Sequence, residues 1–337
     1  MRERRPTSTD VARAAGVSQS TVSRTFRDDP RVLPDTREHV RTVARELGYY
    51  PNAIARSMIT TRSGIVAVVV PDVVNPIFTT MVTVMHQELQ AQGRQMMLFL
   101  ERNFEQGPHD VLGMSALPAD GVVIASATQD SAVVREILQR RIPTILIQRD
   151  VPGAQVDRVM PDDAVGCKAV AQHLVELGHR RIGMVTGSPL TSGGRGRREF
   201  FTKALAEFGV SLDPSLVKVA EPSFDGSVAA ARSLLSPPQR PTAVFCASDT
   251  IALTTLDAAR SMGIDVPHEL SVVGFDDIDM AGWSMIGLTT VRQDIAEQSR
   301  VAISMLLEQV DGTQRDPEDV TFPVELVVRT TTGPPPF

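Results

Sequence analysis

Residues 10–24, DVARAAGVSQSTVSR, read as two short helices folded on each other across a glycine. Gly16 interrupts a helical pattern, and Ser18 can cap the segment that follows. Val11, Ala12, Ala15, Val17 and Val22 supply small apolar contacts, while Gln19, Ser20, Thr21, Ser23 and Arg24 keep the second helix polar. A helix of about two turns with so polar a face is poorly explained by packing alone. A helix-turn-helix whose second helix enters a DNA major groove explains it. The alternative is an ordinary helical hairpin with a solvated face.

On the amino side, residues 1–6 form a basic arm able to touch phosphates. Thr7 and Asp10 fit a capping box, with Asp in place of the usual Glu. On the carboxyl side, a third helix is expected over Asp35–Leu47, where Val40, Val43, Ala44 and Leu47 follow helical spacing and Gly48 closes it. Asn52 is a credible cap for a further helix of about two turns, AIARSMI, too short to stand alone in water. The linker TTRSG follows at 60–64.

Charge separates this head from the rest. Residues 1–62 hold 12 Lys+Arg against 7 Asp+Glu, whereas the remainder holds 22 against 33, so the chain total of −6 hides a basic head on an acidic body. That distribution suits a DNA reader joined to a separate sensor. With 337 residues, 42% hydrophobic and 22% charged, the chain is long enough for two or three globular domains. Cys167 and Cys246 stand alone in apolar surroundings, which predicts small buried hydrophobes rather than a disulfide or zinc site. The start, MRERRPTSTD, has no apolar segment of a signal peptide, and no run approaches a membrane span, so a cytoplasmic location is expected. No cofactor or metal is expected: the histidines lack ligand spacing, SGGRGRR is neither a dinucleotide fingerprint nor a P-loop, and GxSxG and HExxH do not occur. An enzyme is therefore not expected.

From residue 64 the chain alternates strand and helix. GIVAVVV is a continuous apolar run, the mark of a parallel strand buried on both faces. A helix from Pro76 to Gln92 follows. QMMLFLE, GVVIAS, PTILIQ, RIGMVTG, TAVFCAS and SVVGFD are further strand candidates. The pattern is an open doubly wound α/β fold, in which ligands bind at the carboxyl ends of strands. Asp72 and Asn75 follow the first strand, Asp276 and Asp277 end SVVGFD, and Arg197 lies in the helix after RIGMVTG. An Arg opposite an Asp can fork onto vicinal hydroxyls of a sugar. For Asp277 a turn or an interdomain hydrogen bond is an equal alternative.

The runs DVARAAGVSQSTVSR, TREHVRTVARELGYYPNAIARSM and GIVAVVVPDVVNPIF, continued by GHRRIGMVTG, PTAVFCASDTIAL, ELSVVGFDD and LTTVRQD, resemble the LacI/GalR family of bacterial transcription factors, in order and over almost the whole chain. The resemblance implies an all-α helix-turn-helix head at 1–50 and a hinge helix with linker at 51–63. Behind these it implies a periplasmic-binding-protein-like sensor of two doubly wound subdomains, 64–161 with 291–320 and 162–290 with 321–333. The chain would cross between subdomains near Pro161, Val291 and Val320, so the helix Asp294–Gln309 would return to the first.

The resemblance also assigns roles. Gln19 and Ser20 would carry operator choice, with Arg24 reaching base edges and Thr7, Thr21 and Ser23 setting register on phosphates. Arg27 stands where relatives usually have Asn and would add a phosphate contact; Leu33 stands where they often have a Ser cap. Asn52 and Ala53 open the hinge helix, and Met58 replaces a Leu that wedges open a base step in the minor groove. By itself, Met58 reads more readily as a core or linker apolar residue. Arg197 and Asp276 match effector-binding positions, and Phe78 and Phe224 match positions that stack on a ligand ring, with core packing the alternative. Ser248 replaces an Asn, and Phe200 a Gly. The partners implied are operator DNA, a sugar-like effector and a second copy of the chain. Met81, Met85 and Leu89 form a stripe that suits either a dimer surface or the core. A solute-binding protein feeding a transporter is the alternative function, since it shares the sensor architecture.

Overall fold

A computed structural model describes residues 6–26, 29–49, 63–101, 119–236 and 240–336. It divides into two units, 1–63 and 64–337.

The first unit holds helices α1 (Ser8–Ala14), α2 (Gln19–Thr25) and α3 (Pro34–Glu46). Two of them are only seven residues long and draw their stability from one another. Val11, Ala12, Ala15, Val22, Val40 and Ala44 form their shared core. The expected capping box is present: Thr7 Oγ1 accepts from Asp10 N, and Asp10 accepts from Thr7 N at 2.9 Å. Gly16 and Gly48 take φ of 64° and 66°, which lets the chain leave α1 and α3 without strain. The third helix begins one residue earlier than expected. Leu33 offers no capping bond; Pro34 instead starts the helix with its backbone angle already set. Arg27, Asn52, Ala53 and Met58, and with them the hinge segment, lie outside the described residues.

The second unit contains two six-stranded sheets. The first is built from β1 (Ile65–Val70), β2 (Gln95–Leu100), β3 (Gly121–Ile124), β4 (Thr144–Ile147), β5 (Asp157–Pro161) and β11 (Asp319–Phe322), in the order β11-β5-β4-β3-β1-β2. Its described pairings are all parallel. The second uses β6 (Ile182–Thr186), β7 (Val217–Val219), β8 (Ala243–Cys246), β9 (Ser271–Asp276), β10 (Thr289–Gln293) and β12 (Val324–Val327), in the order β12-β10-β9-β8-β6-β7. Of these strands, only β12 runs antiparallel.

Alternation along β1 explains the unbroken apolar run. Val66, Val68 and Val70 enter one core with helix α4 (Pro76–Ala91) and helix α10 (Ile295–Val310), while Ala67 and Val69 enter another beneath helix α5 (Ala132–Gln139). In the second sheet Phe245 packs toward α6 (Asp163–Glu176) and α7 (Ser192–Glu207). Its neighbours Val244 and Cys246 pack toward α8 (Phe224–Leu235) and α9 (Asp249–Ser261). Met81, Met85 and Leu89 are fully buried in the first core against α10, so the dimer-surface reading of that stripe is corrected. Burying each contributes about 1.5–3 kcal/mol. Cys167 and Cys246 are buried free thiols, and burial pushes the Cys246 thiol up to about 12.

The chain leaves the first sheet after Pro161, returns after Gln293 and leaves again after Phe322. The second and third switch points thus fall two residues beyond Val291 and Val320, because β10 and β11 each run on to complete their ladders. In both sheets the strand order reverses beside the first strand of the unit, at β1/β3 and β6/β8, where such folds bind ligands. Among the described residues, no helix is long and apolar enough to cross a membrane.

Candidate functional site

In the head, Ser18 caps α2 by accepting from Thr21 N at 3.1 Å, and its hydroxyl also meets Ser20 Oγ at 2.7 Å and Thr21 Oγ1 at 2.8 Å. Gln19 Nε2 donates to Ser8 Oγ at 3.0 Å, tying the start of α2 to α1. Gln19, Ser20 and Arg24 are exposed, whereas Thr21 and Ser23 are half-buried. The outward face of α2 therefore presents an amide, a hydroxyl and a guanidinium, the donors and acceptors that read base edges. Val22 and Thr25 hold the opposite face in the core.

In the second unit, the carboxyl ends of both sheets converge on a buried polar chain. Thr191 caps α7 by accepting from Gly194 N at 3.2 Å. From it, Arg197 Nε donates to Asp163 at 2.9 Å, and Nη1 donates to the Ala247 carbonyl at 2.7 Å and to Asp276 Oδ1 at 3.4 Å. The guanidinium lies 3.6 Å from the centre of the Phe275 ring. Gln293 Nε2 donates to Asp276 at 2.8 Å. Gln148 Nε2, from the end of β4, donates to Gln293 Oε1 at 2.6 Å and to Gln298 Oε1 at 2.5 Å. Side chains of both sheets are thereby joined in one network.

Burial works against the charge of Arg197, but Asp163 and Asp276 outweigh it and hold the guanidinium above its usual value. Burial pushes Asp163 and Asp276 above the usual carboxylate range, opposed by Arg197 in each. Asp249, fully buried at the start of α9, accepts from Thr290 Oγ1 at 2.5 Å and Ile278 N at 2.9 Å. Burial, with repulsion from Asp276, pushes its carboxyl up to about 7.

Backbone strain gathers in the same place. Of the described non-glycine residues with positive φ, Gln148 (60°), Asp276 (129°) and Asp277 (55°) lie just beyond or at the ends of β4 and β9. Strained backbone of this kind costs about 1–3 kcal/mol per residue and gathers where a site requires it.

The other expected positions are distributed unevenly. Asp72 Oδ1 accepts from Val74 N and Asn75 N, forming a turn, and Asn75 caps α4 by accepting from Ile77 N. Ser248 caps α9, accepting from Ile251 N at 3.3 Å. Phe78 is buried in the first core, with the Arg149 guanidinium 5.9 Å from its ring centre. Phe224 stands apart from the network at the start of α8, 64% exposed. Phe200 is exposed on α7. Asp277 pairs with Arg292 at 2.7 Å and Arg329 at 2.6 Å, within the second sheet's own unit of structure. Arg197 has Nε and Nη1 committed, which leaves Nη2 rather than a free fork for a ligand.

Sequence reasoning missed Asp163, Arg149 and the three glutamines. Asp163 follows Asp162 at a strand-to-helix junction and reads as a first-turn helix acid. Arg149 follows PTILIQ, and a cation directly after a buried strand was its available signal. Burial, then the like charge of Arg197, pulls its guanidinium down to about 10.

Residues 7–52 match the family described as bacterial regulatory proteins, lacI family, and residues 171–332 match a periplasmic binding protein-like domain. The HTH-type transcriptional regulator DegA of Bacillus subtilis (strain 168) is 33% identical over 331 residues, covering 96% of this chain and 97% of its own. The chain belongs to the lacI family. Among solved structures, the lac repressor dimer bound to operator and the anti-inducer ONPF has a TM-score of 0.84 at 25% identity, covering 98% of this chain and 100% of that one. A transcriptional regulator CelR–cellobiose complex has a TM-score of 0.74 at 30% identity, covering 97% and 100%. As a lacI-family protein it is a DNA-binding transcriptional regulator, and its relatives are regulators rather than enzymes. The lacI-type head sets aside the reading as a solute-binding protein.

Proposed function

We propose that this protein is a repressor that binds a pseudo-palindromic operator as a homodimer, under control of a sugar-like effector held between the two sheets of the sensor. Each α2 reads one half-site through Gln19, Ser20 and Arg24, with Thr7, Thr21, Ser23 and Arg27 on phosphates. Asn52, Ala53 and Met58 belong to a hinge helix entering the minor groove at the operator centre. Effector contacts are assigned to Arg197 and Asp276, and further ones to Asp72, Asn75, Phe78, Phe224 and Ser248.

One observation carries the effector reading: the buried chain Asp163–Arg197–Asp276–Gln293–Gln148–Gln298 spans both sheets at their carboxyl ends. A ligand that exchanges hydrogen bonds with Arg197 or Asp276 changes the link between the sheets as well as its own site. Different affinity for open and closed arrangements is then coupled to DNA affinity. The cellobiose of the CelR complex supports a carbohydrate. The subdomains proposed are 64–161 with 291–320, and 162–290 with 321–333.

The test is electrophoretic mobility shift with a palindrome from the protein's own upstream region, across salt concentrations and with sugars added. Sequence-selective, salt-sensitive binding that one sugar class alters is expected. Absence of selective binding in every ligand state overturns the reading.

A further inference from the structure

Arg149 is a cation without a counter-ion among the described residues. Its Nη1 donates to the carbonyl of the preceding residue, Gln148, at 2.7 Å, and its Nε is buried with no hydrogen-bond partner. Nearby carboxylates are otherwise engaged. Asp163 and Asp276 bind Arg197, Asp72 closes its own turn, and Asp150 pairs with Arg158. The Phe78 ring offers only a distant face, Arg197 adds repulsion, and Asp163, Asp276 and Asp72 attract the guanidinium without forming an ion pair with it. A half-buried guanidinium with its Nε shut off from water and no contacting carboxylate is left short of partners, so the arrangement makes sense if one arrives with the ligand. A neutral sugar supplies hydroxyl dipoles but no such charge.

We propose that the cleft takes an acidic sugar derivative, a polyol bearing one carboxylate or phosphate, with the anionic group on Arg149 and hydroxyls on Arg197 Nη2 and Asp276. This inference rests on the reading of the cleft as the effector site. Arg149 supplies a planar fork matched to either oxyanion, and the uncommitted guanidinium edge sets the preference for acid over parent sugar.

The test is thermal unfolding and calorimetric titration of the full-length protein with glucose, galactose and mannose, their uronates and their 6-phosphates. One acidic series is expected to raise the melting temperature, identifying carboxylate or phosphate, with the parent sugar binding about tenfold or more weakly. Arg149→Met is expected to raise the melting temperature of the empty protein by about 2–4 °C, because a half-buried cation with no ion-pair contact is removed. The same variant should give equal responses to acid and parent sugar, whereas Arg149→Lys keeps the preference. Parent sugars binding as well as the acids overturn the inference and leave the effector reading standing. A lower melting temperature for empty Arg149→Met also overturns it, since the arginine is then a structural element. Silence from every compound overturns it and counts against the effector reading too.

Discussion

Arg197 is a side chain of the fold to which an effector role is also proposed. Its guanidinium separates two buried carboxylates, Asp163 and Asp276, that repel each other without it. Arg197→Ala is therefore expected to cost about 3–5 kcal/mol and to lower the calorimetric melting temperature, besides abolishing the ligand response. An unchanged melting temperature would show that the network contributes no stability. Asp249 gives a pH signature. Its folded pKa lies above the unfolded value of 3.8, so the folded state holds a proton that the unfolded chain has lost. The resulting stability is complete below the unfolded pKa and is lost as pH rises through about 7. The stability difference between wild type and Asp249→Asn should thus favour wild type most below about pH 4 and shrink as pH rises toward 7.5, in denaturant titrations at each pH. A difference that grows with pH contradicts the assignment. The charged pair was legible in sequence because Arg and Asp announce their chemistry and sit at positions matched by the resemblance. Gln148, Gln293 and Gln298 were not, because a neutral amide signals nothing until the fold brings three together.

Two adjacent glycines at the start of α7 separate local propensity from packing. A Cβ on Gly193 meets nothing within 4 Å, whereas one on Gly194 lies 2.2 Å from the Ser188 carbonyl oxygen. Gly193→Ala should stabilise by about 0.5–1 kcal/mol through helix propensity. Gly194→Ala should destabilise, because a backbone carbonyl must move and the Thr191 cap with it. Urea unfolding of both variants checks the opposite signs. Sequence revealed the long apolar strands and the amphipathic helices, since both faces of β1, β8 and β9 must be apolar. It did not reveal β5, β7, β10, β11 and β12. These are three to five residues long and carry Asp, Arg, Lys, Thr or Glu, and only pairing with a neighbour makes them strands.

At the level of the whole molecule, the proposed function divides specificity between the exposed face of α2 and the hinge. Met58→Ala is expected to weaken binding to the cognate palindrome much more than to unrelated DNA, because a wedge acts only where the duplex is kinked. Equal losses on both DNAs, measured by anisotropy titration, would point to a general folding defect instead. The crossing of the chain between its two sheets has a further result for synthesis. Met81, Met85 and Leu89 emerge from the ribosome early, yet α10, which covers them, starts only at Ile295, and the edge strand of the same sheet only at Asp319. The three helices of the head close their core by residue 49. Newborn chains thus carry a finished reader while the sensor still waits for its last helix, and the interval between those events is when chaperones have most to protect.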